Sequence, residues 1–143
     1  MEAHLREVFL RENPGISQEA LQMANPLSLA FFGDGVYELF VRGMLMDPTK
    51  SAAKLHRLCR EVVKAPAQSR ALETIEPYLT DEERALVKRG RNAHPKTSAK
   101  NASVGEYRRA TGLECLFGAL FLQGEIRRLE ELFHIIVKEG EEG

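Results

Sequence analysis

Cysteine is scarce in this chain. Only Cys59 and Cys115 occur among 143 residues, far apart and with no C-x-x-C or neighbouring histidine pair. That argues against a disulfide framework or a structural zinc site, and for reduced thiols in a cytoplasmic setting. Valine, isoleucine and threonine are sparse and strict polar–apolar alternation is absent, so no sheet is expected. The opening stretch MEAHLREVFLRENPG carries acids and lacks the apolar centre of a secretory signal. The apolar run from Pro26 to Met46 has membrane-span length, but Asp34, Glu38 and Arg42 lie near its middle. Each would cost about 2.5–3.5 kcal/mol at a bilayer centre, so a span is rejected. The four histidines, His4, His56, His94 and His134, show neither nucleophile nor metal-ligand spacing. Net charge is nearly absent too: 20 Lys/Arg face 21 Asp/Glu.

What is present reads as helix. Apolar residues make up 43% and charged ones 29%, the balance of a globular protein, and the length predicts a single domain over 1–143. Residues 1–16 and 139–143 are expected to be peripheral. Leu, Ala, Glu, Lys and Arg dominate, and apolar spacing predicts helices over 25–46, 51–64, 65–77 and 125–138. Two capping boxes, Thr80 with Glu83 and Ser103 with Glu106, predict helices from there to about Gly90 and Leu122. The stretch from Arg91 to Ala102, with Pro95 and several Ser, Thr and Asn residues, is the one long predicted loop.

The neutral total conceals a division. From Lys50 to Arg109 there are 14 Lys/Arg and 7 Asp/Glu, net +7, and the remainder carries net −8. Between Arg84 and Arg109 eight bases meet one acid, Glu106. Lysine and arginine in such density offer phosphate contacts with strong salt dependence. Few aromatics interleave them, which favours a duplex backbone over stacked single-stranded bases. Lys50, Lys54, Arg57, Arg60 and Lys64 form a second basic face.

Two acids stand alone in apolar surroundings. Asp34 is flanked by Gly33 and Gly35, small neighbours that allow close approach to its carboxylate. Glu114 is the sole acid from Tyr107 to Gly124. Each could be half of a structural salt bridge. If their helices meet, the two would instead form a hard oxygen pair suited to Mg2+. Glu38 and Arg42, four residues apart, read either as a solvated stripe or as a helix-surface ion pair.

The segment LSLAFFGDGVYEL resembles the ribonuclease III signature E-R-L-E-F-L-G-D-(S/A)-V-L-E, and ATGLECLFGALFL resembles that family's second acidic motif, A-D-x-F-E-A-L-I-G-A-x-Y-L. KRGRNA at Lys88–Ala93, T-x-x-K-N at Thr97–Asn101 and Y-R-x-A-T at Tyr107–Thr111 look like the compact Mini-III subgroup, a catalytic domain without a separate double-stranded-RNA-binding domain. The match spans roughly residues 25–138.

The resemblance implies an all-α, ribonuclease III-like helical fold, a homodimer, and Mg2+-dependent cleavage of double-stranded RNA, with Mn2+ as a substitute. It implies products with 5′-phosphates and a role in maturation of ribosomal RNA, the 23S precursor. Carried over by position, Asp34 and Glu114 become the catalytic and metal-binding acids. Lys88, Arg89, Arg91, Asn92, Lys96, Thr97, Lys100, Asn101 and Arg108 become the residues that track the duplex. Phe31 and Phe32 are candidate dimer contacts. The chain departs from the family where Leu27, Ala30 and Thr111 stand at usual acidic positions. That thinning keeps an alternative open, a catalytically silent RNA-binding module associated with ribosomal RNA or the ribosome. A purely helical protein-interaction domain is a third reading.

Overall fold

The computed structural model describes residues 2–93 and 103–142, and all regular structure among them is helical. In chain order the helices are α1 (Glu2–Leu10), α2 (Gln18–Gln22), α3 (Pro26–Leu45), α4 (Ala52–Val63) and α5 (Ala65–Ile75). A 3-10 turn (Glu76–Tyr78) follows, then α6 (Asp81–Asn92), α7 (Val104–Leu122) and α8 (Ile126–Glu142).

Local chemistry sets the helix starts. Asn25 Oδ1 accepts from the Leu27 N–H at 2.9 Å, and Pro26 takes the first helical position of α3, where its missing N–H costs nothing. Both capping boxes form in full: Thr80 and Glu83 open α6, and Ser103 and Glu106 open α7. α7 ends where Gly124 turns the chain with a positive φ of 84°.

α7 is the central helix. From Ala110 to Leu122 every residue except Glu114 is buried, as expected for a helix apolar on all sides. Helices α3, α5, α6 and α8 surround it. Tyr37, Leu72, Ile75, Leu113, Phe117 and Leu129 fill the interior, with Tyr37 edge-on to Phe117 at a ring separation of 5.0 Å.

Two glycine crossings set the helix spacing. A Cβ on Gly33 would lie 1.6 Å from the Glu114 carbonyl oxygen, and one on Gly118 would lie 2.1 Å from that of Leu29. α3 and α7 therefore touch backbone to backbone. At the second crossing, a Cβ on Gly90 would meet the Gly112 Cα at 2.9 Å.

Three boundaries differ from the sequence reading. α6 runs past Gly90, so Arg91 and Asn92 close a helix rather than open a loop; Gly90 serves the contact with α7. α8 runs on to Glu142 and takes most of the acidic tail into a helix. Residues 2–10 form α1, and Arg6 ties it inward by donating from Nε to the Leu122 carbonyl and from Nη2 to the Ile16 carbonyl at 3.2 Å. Both cysteines are free thiols and buried. Among the described residues no helix is long and apolar enough to cross a membrane.

Candidate active site

The α3–α7 crossing brings the two lone acids together. Gly33 lies directly on the backbone of Glu114, so the next residue along α3, Asp34, reaches the Glu114 side chain. The two carboxyl groups hydrogen-bond. Asp34 is exposed, whereas Glu114 is half-buried at the one gap in the buried run of α7. Burial, then the charge of Asp34 and the hydrogen bond with it, push the Glu114 carboxyl up to about 8 from an ordinary 4.5. No cationic side chain is among the groups that act on it. The salt-bridge alternative for Glu114 therefore has no partner in the shift, and a like-charge pair stands in its place.

A third group joins them. Gln68, from the first turn of α5, also acts on the Glu114 carboxyl and opposes the upward shift. The residue is only 2% exposed. Sequence reasoning missed it, although a signal was present: Gln68 shares a helical stripe with Leu72 and Ile75, so it is a polar residue on an apolar face. Next to it, Ser69 Oγ accepts from Arg109 Nε at 2.6 Å and ties α5 to α7.

The other usual acidic positions add no ligand. Ala30 is buried in the core, and the Thr111 hydroxyl donates to the Tyr107 carbonyl at 3.0 Å, inside its own helix. Among the described residues no group of three or more His, Cys, Asp or Glu side chains is placed to hold a metal ion. Any cation here would rest on Asp34 and Glu114, with water or substrate oxygens completing its shell. Glu38 forms the expected surface pair, Arg42 Nη2 lying 3.4 Å from Glu38 Oε1, and the Cys59 thiol donates to the same oxygen at 3.7 Å.

The predicted duplex-tracking residues divide. Lys88, Arg91 and Asn92 are exposed along the C-terminal half of α6, and Arg108 is exposed near the start of α7. Arg89 is committed inward, its Nη2 donating to the Ala24 carbonyl at 2.6 Å and fastening α6 to the entry of α3. Lys96, Thr97, Lys100 and Asn101, like His94, lie outside the described residues.

Comparison with known proteins identifies the family of the chain. The family model described as the Ribonuclease III domain matches residues 27–125. The chain is 43% identical over 140 residues to the Mini-ribonuclease 3 of Clostridium tetani, covering 96% of this chain and 91% of that one. It is 38% identical over 120 residues to the Mini-ribonuclease 3 of Staphylococcus aureus, covering 82% and 90%. A crystal structure of a Fusobacterium nucleatum protein superposes with a TM-score of 0.77 at 28% identity, over 85% of this chain and 98% of that one. A lone Asp–Glu pair at a glycine-mediated helix crossing thus occurs in a chain that belongs to the ribonuclease III domain family, in its Mini-ribonuclease 3 branch.

Proposed function

We propose that this chain is a divalent-metal-dependent endoribonuclease that cuts double-stranded RNA, with Asp34 and Glu114 as its catalytic carboxylates. The observation that carries this is the contact between those two side chains, from α3 and α7, at a backbone-to-backbone crossing. The Asp34 carboxylate helps hold back ionisation of Glu114, no cation is among the groups that act on Glu114, and a structural role gives no reason to keep such a pair. The donor chemistry fits Mg2+: hard oxygens, few in number, with room for water and phosphate. Asp34 and Glu114 would hold the ion, which when bound polarises a phosphate and favours in-line attack by water on phosphorus.

The remaining work falls to the chain itself. The glycine crossing fixes the spacing of the two acids before substrate arrives. The recessed position of Glu114 keeps bulk water from one side of the pair, while exposed Asp34 leaves the other side open to a phosphate. Lys88, Arg91 and Arg108 supply charge for duplex phosphates, joined by Lys96 and Lys100 from the segment between α6 and α7, with Asn92, Thr97 and Asn101 as donors. Arg89 contributes by holding α6 in place.

Cutting both strands of a duplex calls for two such sites, which a homodimer provides. Phe31, 82% exposed on α3, is an apolar contact available to a second copy. We place the protein in the maturation of a ribosomal RNA precursor in the cytoplasm, on the strength of its similarity to Mini-ribonuclease 3 proteins.

The test is cleavage of end-labelled RNA by the purified chain across Mg2+ and Mn2+ concentrations, with duplex and single-stranded forms of one sequence. Metal-dependent cutting of the duplex alone, leaving 5′-phosphate ends, supports the reading. Binding of duplex RNA without cutting under any metal would instead favour the silent module that the thinned acidic set at Leu27, Ala30 and Thr111 leaves open.

A further inference from the structure

Arg109 is a half-buried cation to which neither the fold nor the proposed chemistry gives an anion. Among the described residues no acid forms an ion pair with it. Glu106, its nearest acid in the chain, is committed to the Ser103 N–H at 3.1 Å. Residues 94–102, which precede α7 in the chain, include no Asp or Glu. A guanidinium withdrawn even partly from water costs free energy that an opposite charge offsets.

What Arg109 does have is an orienting contact. Its Nε donates to Ser69 Oγ at 2.6 Å, and Ser69 is only 3% exposed, so the acceptor is itself held by the packing of α5. The other end of the guanidinium passes over Gly105, one turn earlier. A Cβ built on Gly105 would meet Nη1 at 3.4 Å and Nη2 at 4.0 Å. Both Nη groups therefore lie above the one residue of that turn that has no side chain to cover them. With Nε occupied, the Nη1–Nη2 edge remains, a planar pair of donors that matches two oxygens of a phosphate.

The place in the fold suits that use. Arg109 follows Arg108, which is exposed, and Ser69 stands five residues beyond Lys64, the last cation of the second basic face. Their contact sets Arg109 between the two basic stretches. Glu114 lies about 7.5 Å further along α7 and on another side of the helix, so this edge is separate from the reaction centre.

We propose that Arg109 is a preset phosphate clamp: Ser69 fixes Nε, and the Nη1–Nη2 edge takes one phosphodiester of the duplex backbone. This rests on the duplex-RNA reading above. Residue type supports it. A lysine could be held or could bind, but it has no second edge to do both. A carboxylate in place of Ser69 would neutralise the guanidinium and compete with the phosphate, whereas a hydroxyl orients it and leaves its charge intact. A side chain held in its bound geometry beforehand loses less freedom when the ligand arrives.

The test is duplex affinity of wild type, Arg109→Gln and Ser69→Ala, measured by fluorescence anisotropy of a labelled RNA duplex in EDTA over a range of KCl concentrations, with thermal melts alongside. Arg109→Gln is expected to weaken Kd by about tenfold, the scale of one hydrogen-bonded contact to a charged group, and to reduce the salt slope by about 1. Ser69→Ala keeps the charge and loses the orientation, so its Kd rises by a smaller factor at an unchanged slope. A residue that only ties α5 to α7 would lower the melting temperature and leave Kd and slope as in wild type, and that result overturns the proposal. Should Arg109→Gln lose cooperative unfolding, Arg109→Lys decides: a weaker Kd at the wild-type slope is expected, and wild-type Kd overturns the proposal. If the wild-type protein binds no duplex, the duplex-RNA reading itself fails, and the clamp falls with it.

Discussion

Substituting Gly33 by alanine tests whether the helix crossing builds the site. The added Cβ would sit 1.6 Å from the Glu114 carbonyl oxygen and 2.8 Å from the Gly118 nitrogen. Ordinary contact begins at 3.4 Å, so α3 and α7 must separate by up to about 1.8 Å. Both obstacles are backbone, and no rotamer change can relieve them. Overpacking of this kind costs about 1–3 kcal/mol, here toward the upper end because two central helices move. Displacement of a catalytic group by about 1 Å can cost about a hundredfold in rate. Gly33→Ala is therefore expected to lower both stability and cleavage, with a greater loss in rate at saturating RNA than unfolding alone explains. Gly43→Ala, on the same helix with nothing within 4 Å of its added Cβ, is the control; it should gain about 0.5–1 kcal/mol. The assays are urea denaturation and single-turnover cleavage on the folded fraction. Near-wild-type stability and rate in Gly33→Ala would refute the close-crossing argument.

Other consequences follow from the same geometry. In metal-free protein the Glu114 carboxyl is raised, so the folded state binds more protons than the unfolded one between about 4.5 and about 8. Stability should therefore fall as pH rises through that window, and Glu114→Gln should flatten the slope in thermal melts. Burial pushes the Glu83 carboxyl up, but hydrogen bonds from Arg128 and the Thr80 N–H outweigh it and hold the group below its usual value. Arg128→Ala leaves that carboxylate buried with the Thr80 cap alone, and should cost about 2–3 kcal/mol in denaturant unfolding, since Arg128 itself keeps some contact with water. Lys88→Ala and Arg91→Ala should each weaken duplex binding and reduce the salt slope of the binding constant by about 1. Arg89→Ala should act mainly through stability, through loss of the bond to Ala24.

Much of this was legible in the sequence for identifiable reasons. The starts of α6 and α7 follow from their capping boxes, which are local. Asp34 and Glu114 stood out because an acid on an apolar helix needs an explanation, whatever the fold. The errors lay where a residue's role is set by distant contacts. Gly90 looked like a helix end because glycine often ends helices, yet it is there to admit Gly112. α1 is tied down by Arg6, whose partner Leu122 lies at the far end of α7. Arg89 was grouped with its basic neighbours, because composition cannot say which guanidinium turns inward. Gln68 sits in an unremarked A-Q-S-R stretch, and only the packing of α5 on α7 sets it beside Glu114.

The claim that the Asp34–Glu114 pair is the reaction centre is tested most directly by comparing wild type, Asp34→Asn and Glu114→Gln in single-turnover cleavage of duplex RNA at saturating Mg2+, with RNA affinity measured alongside. The account predicts that each variant folds, binds duplex as wild type does, and cuts more slowly by about 10³-fold or more, the scale of removing a group that stabilises transition-state charge. Cleavage by either variant within tenfold of wild type would contradict it.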